Sequence, residues 1–449
     1  MNTLPRHPNS YKFSKHLYGR HHPWTIWCRC VSYPYLIPYI VLCLPYHAVR
    51  FVSRWIAHRR RRRACGRRVR EEFHRYAEAH REERVAERIK PIALYLPQFH
   101  RIPENDEWWG AGFTEWTNVK KATPLYAGHY QPHVPHPDIG YYDLADVEVM
   151  RRQAAMAKRF GVHGFCFYYY YFARGKRLLE KPIDNWLRAT DIDFPFCFAW
   201  ANENWTRAWD GGDKEVIMPQ DYDEANMLGM IREMMPAFRD RRYIRIDNKP
   251  VLFVYRAEIV PQVSRLAQKW RAIMLENGFE GIWLVSMQHF EQKDPRMMGF
   301  DAAAEFAPGS TPSSIPVSPS YYMRHWDEMT KHMFFDIRDV VNYAVETHPR
   351  SYPCIRCITP SWDNSPRKAA CGAMVVYDAS PSVFKDFMVA KIKETALADY
   401  PMDGMLLINA WNEWGEGAHL EPDVKNGYRY LDVVRDVCSR SLGEIDCMG

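Results

Sequence analysis

From Pro91 onward the chain alternates short apolar runs with longer amphipathic stretches, the rhythm of βα units built on a parallel sheet. The candidate strands are Ile92 to Leu96, Gly164 to Tyr169, Pro195 to Trp200, Val251 to Tyr255, Ile282 to Met287, Ala302 to Phe306, Ile355 to Thr359 and Met405 to Ala410. Candidate helices between them include Val147 to Phe160, Tyr222 to Phe238, Val260 to Asn277, Arg338 to Thr347 and Ser382 to Ala398. Eight strands over this length predict an α/β fold, a (β/α)8 TIM barrel with long βα loops. A doubly wound sheet is the rival, but no GxGxxG follows any strand, which weakens its dinucleotide-binding form.

Nearly every candidate strand runs into a cluster of aromatic and polar residues. These are Tyr95 to His100 with Gln98, Tyr168 to Tyr171 with Tyr169, Trp200 to Trp205 with Asn202 and Glu203, Ser361 to Asn364 with Trp362 and Asp363, and Trp411 to Glu416 with Asn412. In a barrel the C-terminal strand ends meet at one mouth, so the clusters are expected to line a single pocket. Such a pocket is rich in Trp, Tyr, Asn, Glu and Asp. Aromatic rings pack on the C–H faces of sugars, and planar amides and carboxylates read their hydroxyls, so carbohydrate is the expected ligand. A phosphate pocket would instead need Gly-rich turns with Lys or Arg.

Glu413 and Glu416 stand three apart immediately after the last strand. In a helical turn that spacing puts both carboxylates on one face. Two carboxylates are the minimum for glycosidic chemistry, one protonating the leaving oxygen and the other acting as base or nucleophile. Like charge and tryptophan walls would raise one of their pKa values. Glu421 is either a third carboxylate or a loop cap. Glu203 is either a hydroxyl acceptor or a structural hub, and Asp363 with Arg367 either a loop salt bridge or a second hydroxyl clamp. His129, His133 and His136 lie in an extended, proline-rich loop that matches no zinc spacing, so no metal is expected. His133 is instead read as packing or as a sugar contact, joined by Glu115 and Trp116. Cys354 and Cys357 form a lone CxxC without a second pair, and eleven scattered cysteines fit a reducing compartment better than a disulfide framework. No cofactor is implied.

The charge is uneven. Residues 1 to 90 carry 20 Lys and Arg against 6 Asp and Glu, whereas residues 91 to 449 carry 40 against 48. An acidic body is a poor nucleic-acid binder, so no nucleic-acid partner is expected. Two domains follow: a basic segment, 1 to 90, and a catalytic barrel, 91 to 440. Val31 to Val49 is uncharged over 19 residues, about 28 Å as a helix, yet it carries three prolines and four tyrosines. An interfacial anchor, a true span and a soluble segment are all compatible with it. Arg59 to Arg63 beside it make residues 31 to 70 a candidate contact for an anionic membrane surface, and the positive-inside bias places the barrel in the cytoplasm, at the inner face of the membrane.

Residues 91 to about 435 resemble the WbsX-like proteins of bacterial surface-polysaccharide gene clusters, related to glycoside hydrolase family 99, the endo-α-mannosidases and endo-α-mannanases. The matching stretches are Ala93 to His100, Gly112 to Val119, Gly128 to Pro135, Gly164 to Tyr170, Phe198 to Arg207, Trp362 to Arg367 and Trp411 to Pro422. The hydrolases carry their catalytic pair in a Glu-Trp-His-Glu stretch, matched here by Glu413-Trp414-Gly415-Glu416. The resemblance implies a retaining mechanism in which Glu413 deprotonates the sugar 2-hydroxyl, which attacks its own anomeric carbon, while Glu416 protonates the leaving oxygen. Gly415 departs from that stretch and puts mannose specificity in doubt. The alternatives are a glycosyltransferase of surface-polysaccharide (O-antigen or capsule) assembly and a non-catalytic glycan-binding protein. Asp191-Ile192-Asp193 has the letters of a DxD diphosphate site but precedes a strand, away from the mouth.

Overall fold

The computed structural model describes residues 66–207, 212–289, 293–309, 332–346, 351–368, 370, 372–398 and 402–448. The apolar stretch 31 to 49 and the Arg59 to Arg63 run lie outside them. Among the described residues no helix is long and apolar enough to cross a membrane.

Eight strands form the central sheet: β1 (Lys90–Tyr95), β2 (Gly164–Tyr171), β3 (Phe196–Trp200), β4 (Lys249–Val254), β5 (Trp283–Gln288), β6 (Ala302–Glu305), β7 (Cys354–Ile358) and β8 (Met405–Ile408). Each pairs in parallel with its sequence neighbour, and β1 pairs with both β2 and β8, so the sheet closes on itself. That closure excludes the doubly wound rival, whose sheet keeps two open edges. Every expected strand is present within a few residues of its expected bounds.

The helices α1 (Val147–Arg159), α2 (Glu180–Arg188), α3 (Glu224–Arg239), α4 (Val263–Glu276), α5 (Ile337–Glu346), α6 (Pro381–Ala396) and α7 (Arg429–Ser439) lie between strands or after the last one. Their starts are written locally. The Asp146 and Asp223 side chains accept from the second helical N–H of α1 and α3, and Ser380 accepts from Val383 N ahead of α6, which has proline at its first position. After β5 the 3-10 turn Pro295–Met298 leads directly to β6.

One of two compact units spans Val69–Gly449. Phe73 and Ala77, four apart on helical backbone, are buried in the main core, and Val85 N donates to Arg440 O near the end of the chain. Residues 73 to 85 therefore pack on the barrel's C-terminal part. Cys354 and Cys357 sit three apart on β7, where alternation sends them to opposite faces, so the CxxC cannot close on one metal ion.

Candidate active site

The last strand leads into a tight hairpin, Asn412–Glu413 pairing with Ala418–His419, whose tip is the 3-10 turn Trp414–Glu416. Glu413 immediately precedes this turn and Glu416 ends it, and their carboxylates converge. Both meet the guanidinium of Arg367. Its Nη2 donates to Glu413 Oε2 at 2.9 Å and its Nη1 to Glu416 Oε1 at 2.7 Å. The third corner is Glu115, fully buried at the start of the short helix Glu115–Lys121, whose Oε1 accepts from Arg367 Nε at 2.7 Å. One guanidinium therefore serves three carboxylates.

The attraction of Arg367 does not outweigh the cost of burying charge on Glu413 and Glu416. Burial raises Glu413 to about 8 against the pull of Arg367, with Glu416 and Glu115 adding repulsion, and burial likewise raises Glu416. The cluster therefore retains protons at neutral pH, which is what a general acid needs. Glu416 is the more open of the pair, its side chain 19% exposed against 6% for Glu413. Gly415 gives the room for this arrangement, because a Cβ there would stand 1.9 Å from Glu115 Oε1 and 2.9 Å from Arg367 Nε.

Tyr168 and Tyr170 feel the charges of Glu413 and Glu416, and Tyr255 feels both as well. Tyr168 and Tyr255 meet edge to face, and Tyr170 packs edge on against Trp205. None of these three tyrosines is singled out by the sequence alone, although strand alternation picks out Tyr168 and Tyr170 once the inward face of β2 is known. Trp205 also packs against Trp108, and Glu203, its side chain 44% exposed, takes a hydrogen bond from Arg256 Nη1 at 2.6 Å. Gln98 is buried beside Glu115, its carbonyl accepting from Glu115 N.

Several expected sugar contacts belong to the scaffold instead. Tyr169 and Trp200 are register partners across β2 and β3 and point outward, Tyr169 into a cleft with Arg177 and Glu233, Trp200 against Trp270 of α4. Tyr95 also faces the helix layer, where its hydroxyl donates to Gln153 of α1 at 2.6 Å, and Trp411 is fully buried against Phe165. The Asn412 amide is consumed by the Leu96 backbone, accepting from its N–H at 2.7 Å and donating to its carbonyl at 3.0 Å. Asn202 does the same with Arg256 at the ends of β3 and β4. These amides fasten strand ends together rather than reading hydroxyls.

Trp116 is buried against Trp414 and Phe99, its indole donating to Tyr142 O. Glu421 lies behind the Glu413–Glu416 turn, accepting from Trp414 Nε1, Gln153 Nε2 and Tyr142 Oη, and burial raises it to about 7. It is a hub and not a third carboxylate of the mouth. Asp363 does not clamp with Arg367: His129 Nε2 lies 2.8 Å from it, and Gln131 and the Ser365 N–H donate to it, which keeps it ionised despite burial. Trp362 is nearly buried, and His133 meets His419 rather than the mouth.

Comparison with known proteins places this geometry in context. Residues 91–434 match the model of the family described as Glycosyltransferase WbsX. The uncharacterized protein WxcX of Xanthomonas campestris pv. campestris (strain B100) is 42% identical over 357 residues, covering 78% of this chain and 50% of that protein. WxcX of strain ATCC 33913 is 42% identical over 360 residues with the same coverage, so the chain spans about half the length of these relatives. Among solved structures, a glycoside hydrolase-like protein superposes with a TM-score of 0.50 at 16% identity, covering 80% of this chain and 96% of that one, which shows the barrel fold alone. The endo-α-mannosidase of glycoside hydrolase family 99 from Bacteroides thetaiotaomicron superposes with a TM-score of 0.48 at 14% identity over 80% of this chain and 98% of its own. With about three quarters of its length matched to one family model and relatives at 42% identity, the chain belongs to the WbsX family.

Proposed function

We propose that the barrel mouth acts on an α-linked glycosidic bond of a polysaccharide or lipid-linked glycan, with retention, through Glu413 and Glu416. The observation that carries this reading is the convergence of both carboxylates on Arg367 from one turn after β8. Two carboxylates sharing one guanidinium fit the close spacing of retaining enzymes better than the gap of roughly 6.5–9.5 Å that an inverting pair leaves for water.

In the reaction, Glu413 takes the 2-hydroxyl proton as O2 attacks the anomeric carbon, and the bond to the leaving oxygen breaks as Glu416 protonates it. The product is a 1,2-anhydro sugar and a released chain. Glu416, now a carboxylate, takes the proton of the incoming hydroxyl as that oxygen opens the anhydro ring, and Glu413 returns its proton to O2. Arg367 and Glu115 hold the pair in place throughout.

Three carboxylates around one cation leave the mouth electronegative whenever a second carboxylate ionises. That field stabilises the positive charge that develops on the sugar ring and opposes the diphosphate of a nucleotide-sugar donor. The family's description favours transfer, and a sugar hydroxyl in place of water gives it at the same mouth. Incubation with α-linked oligosaccharides and, separately, with nucleotide sugars, followed by mass measurement, tests the reading: shortened or rearranged oligosaccharides are expected. Product from nucleotide sugars alone would overturn it, and glycan binding without any product would mark a binding protein.

The basic segment is proposed to bring this mouth to an anionic membrane surface. Co-sedimentation of the full chain with anionic vesicles, weakened when Arg59 to Arg63 become glutamine, is the expected result; sedimentation indifferent to lipid charge would reject it.

A further inference from the structure

Behind the catalytic turn, the loop after β1 and the loop after β8 are zipped together. His136 N donates to Pro422 O and Val424 N to Val134 O, both at 2.9 Å. At their junction His133, His419 and Asp423, all buried, bring one nitrogen each and a carboxylate oxygen to within 4.8 Å of one another. We propose that this triad is a structural binding site for a divalent transition-metal ion of the zinc class, stapling the two loops under the Glu413–Glu416 turn. The inference does not depend on the reaction proposed above.

The orientation of each donor supports it. His419 Nδ1 lies 2.8 Å from the Glu421 carbonyl, which can only accept, so that nitrogen carries the proton and Nε2 presents its lone pair. A ring N–H held by a backbone carbonyl is the usual outer support of a metal-bound imidazole. His419 is further fixed by stacking on Trp414, with ring centroids 3.7 Å apart. Its Nε2 faces His133 Nδ1 at 2.8 Å. Two imidazole nitrogens on one tetrahedral zinc, each at about 2.0–2.1 Å, stand roughly 3.3 Å apart, so a small rotation of the His133 ring admits the ion.

His133 then binds through Nδ1 with its proton moved to Nε2, and Asp423 supplies one negative charge, oriented by hydrogen bonds from Asn426 N and Nδ2. Tyr130 stacks on His133, and its hydroxyl lies in the field of Asp423. Two imidazoles and one carboxylate suit zinc better than magnesium or calcium, which want oxygen alone. No local spacing could announce this triad, because His133 and His419 are 286 residues apart.

The test uses the full chain, stripped by a chelator and titrated with Zn²⁺ or Co²⁺ alone. Other histidines and cysteines can take metal, so assignment rests on variants and on spectroscopy. The expected result is a cobalt spectrum of tetrahedral intensity without a thiolate charge-transfer band, a higher Tm on zinc loading, and one fewer ion bound in both His419→Gln and Asp423→Asn. Asp423→Asn is nearly isosteric and serves if His419→Gln fails to fold. A wild-type cobalt spectrum without tetrahedral intensity, or equal stoichiometry in wild type and Asp423→Asn, would mean that the two imidazoles only hydrogen-bond each other.

Discussion

Gly415 and Glu115 occupy the same space in turn: the Cβ that Gly415 lacks would stand 1.9 Å from Glu115 Oε1. Any side chain at 415 displaces Glu115 or the turn by about 1 Å or more. Because such a misplacement at a reacting centre can cost on the order of 100-fold in rate, Gly415→Ala is expected to lower kcat/KM by about that factor while the barrel stays folded. Steady-state kinetics beside a thermal melt decide it; full activity with an unchanged melt would show that Glu115 is not held against Arg367 during turnover.

Arg367 hydrogen-bonds all three carboxylates. Arg367→Met leaves buried carboxylates without a partner, a change that costs about 3–5 kcal/mol where a buried pair is broken. Arg367→Lys keeps the charge but cannot place three N–H groups in a plane. Both variants are expected to melt earlier and to shift the acid limb of the pH profile upward, because the carboxylates lose the interaction that lowers their pKa. A Lys variant matching the wild type in both measurements would refute the planar clamp.

The pH profile itself follows from the raised pair. Glu413 at about 8 and Glu416, also raised, titrate together, so apparent pKa values belong to the cluster rather than to one residue. The proposed reaction requires one proton on the pair. Activity is expected to fall as pH rises through about 8, where that proton leaves, and again in acid, where a second is added. Glu416→Gln should keep turnover on an α-glycosyl fluoride, whose leaving group needs no proton, whereas Glu413→Gln should lose it on every substrate. A rate still climbing well above pH 8 is incompatible with a carboxylic acid as the proton donor.

Glu421 is a stability group. Its folded pKa, about 7, lies above the ordinary carboxylate value because burial opposes its charge. The unfolded chain therefore binds fewer protons between about 4.5 and 7, so stability is complete below that window and declines as pH rises through it. Glu421→Gln cannot ionise and should flatten the fall of Tm from pH 5 to 7 with little change in kcat. A steep loss of kcat at unchanged Tm would return Glu421 to the mouth.

The architecture was legible because βα alternation and the polar residues at strand ends are local signals: the eight strand positions and the placement of Glu413 and Glu416 on one turn need nothing beyond neighbours in the chain. What the sequence hid was partnership across the barrel. Asn412 looks like a hydroxyl reader until Leu96, 316 residues away, takes both ends of its amide. Arg367 sits four residues after Asp363, yet its partners come from the loop after β1 and the turn after β8. Gly415, read as a lost side chain, is the space into which Glu115 fits.

The tyrosine run Tyr168 to Tyr171 shows the limit most sharply. Four identical residues carry no alternation in hydrophobicity, so the inward face of β2 is unreadable until the register is known. Pairing with β3 sets Tyr168 opposite Ala199 and Tyr169 opposite Trp200, and since Trp200 packs on α4, Tyr168 and Tyr170 face the carboxylates. Tyr168→Phe and Tyr170→Phe are therefore expected to raise KM or lower kcat several-fold, about the effect of one lost hydrogen bond at roughly 1 kcal/mol. Tyr169→Phe should leave both constants unchanged, because its ring and the Arg177 guanidinium meet outside the barrel wall. Kinetics of the three variants on one substrate settle the parity: if Tyr169→Phe alone impairs turnover, the assigned inward face of β2 is the wrong one.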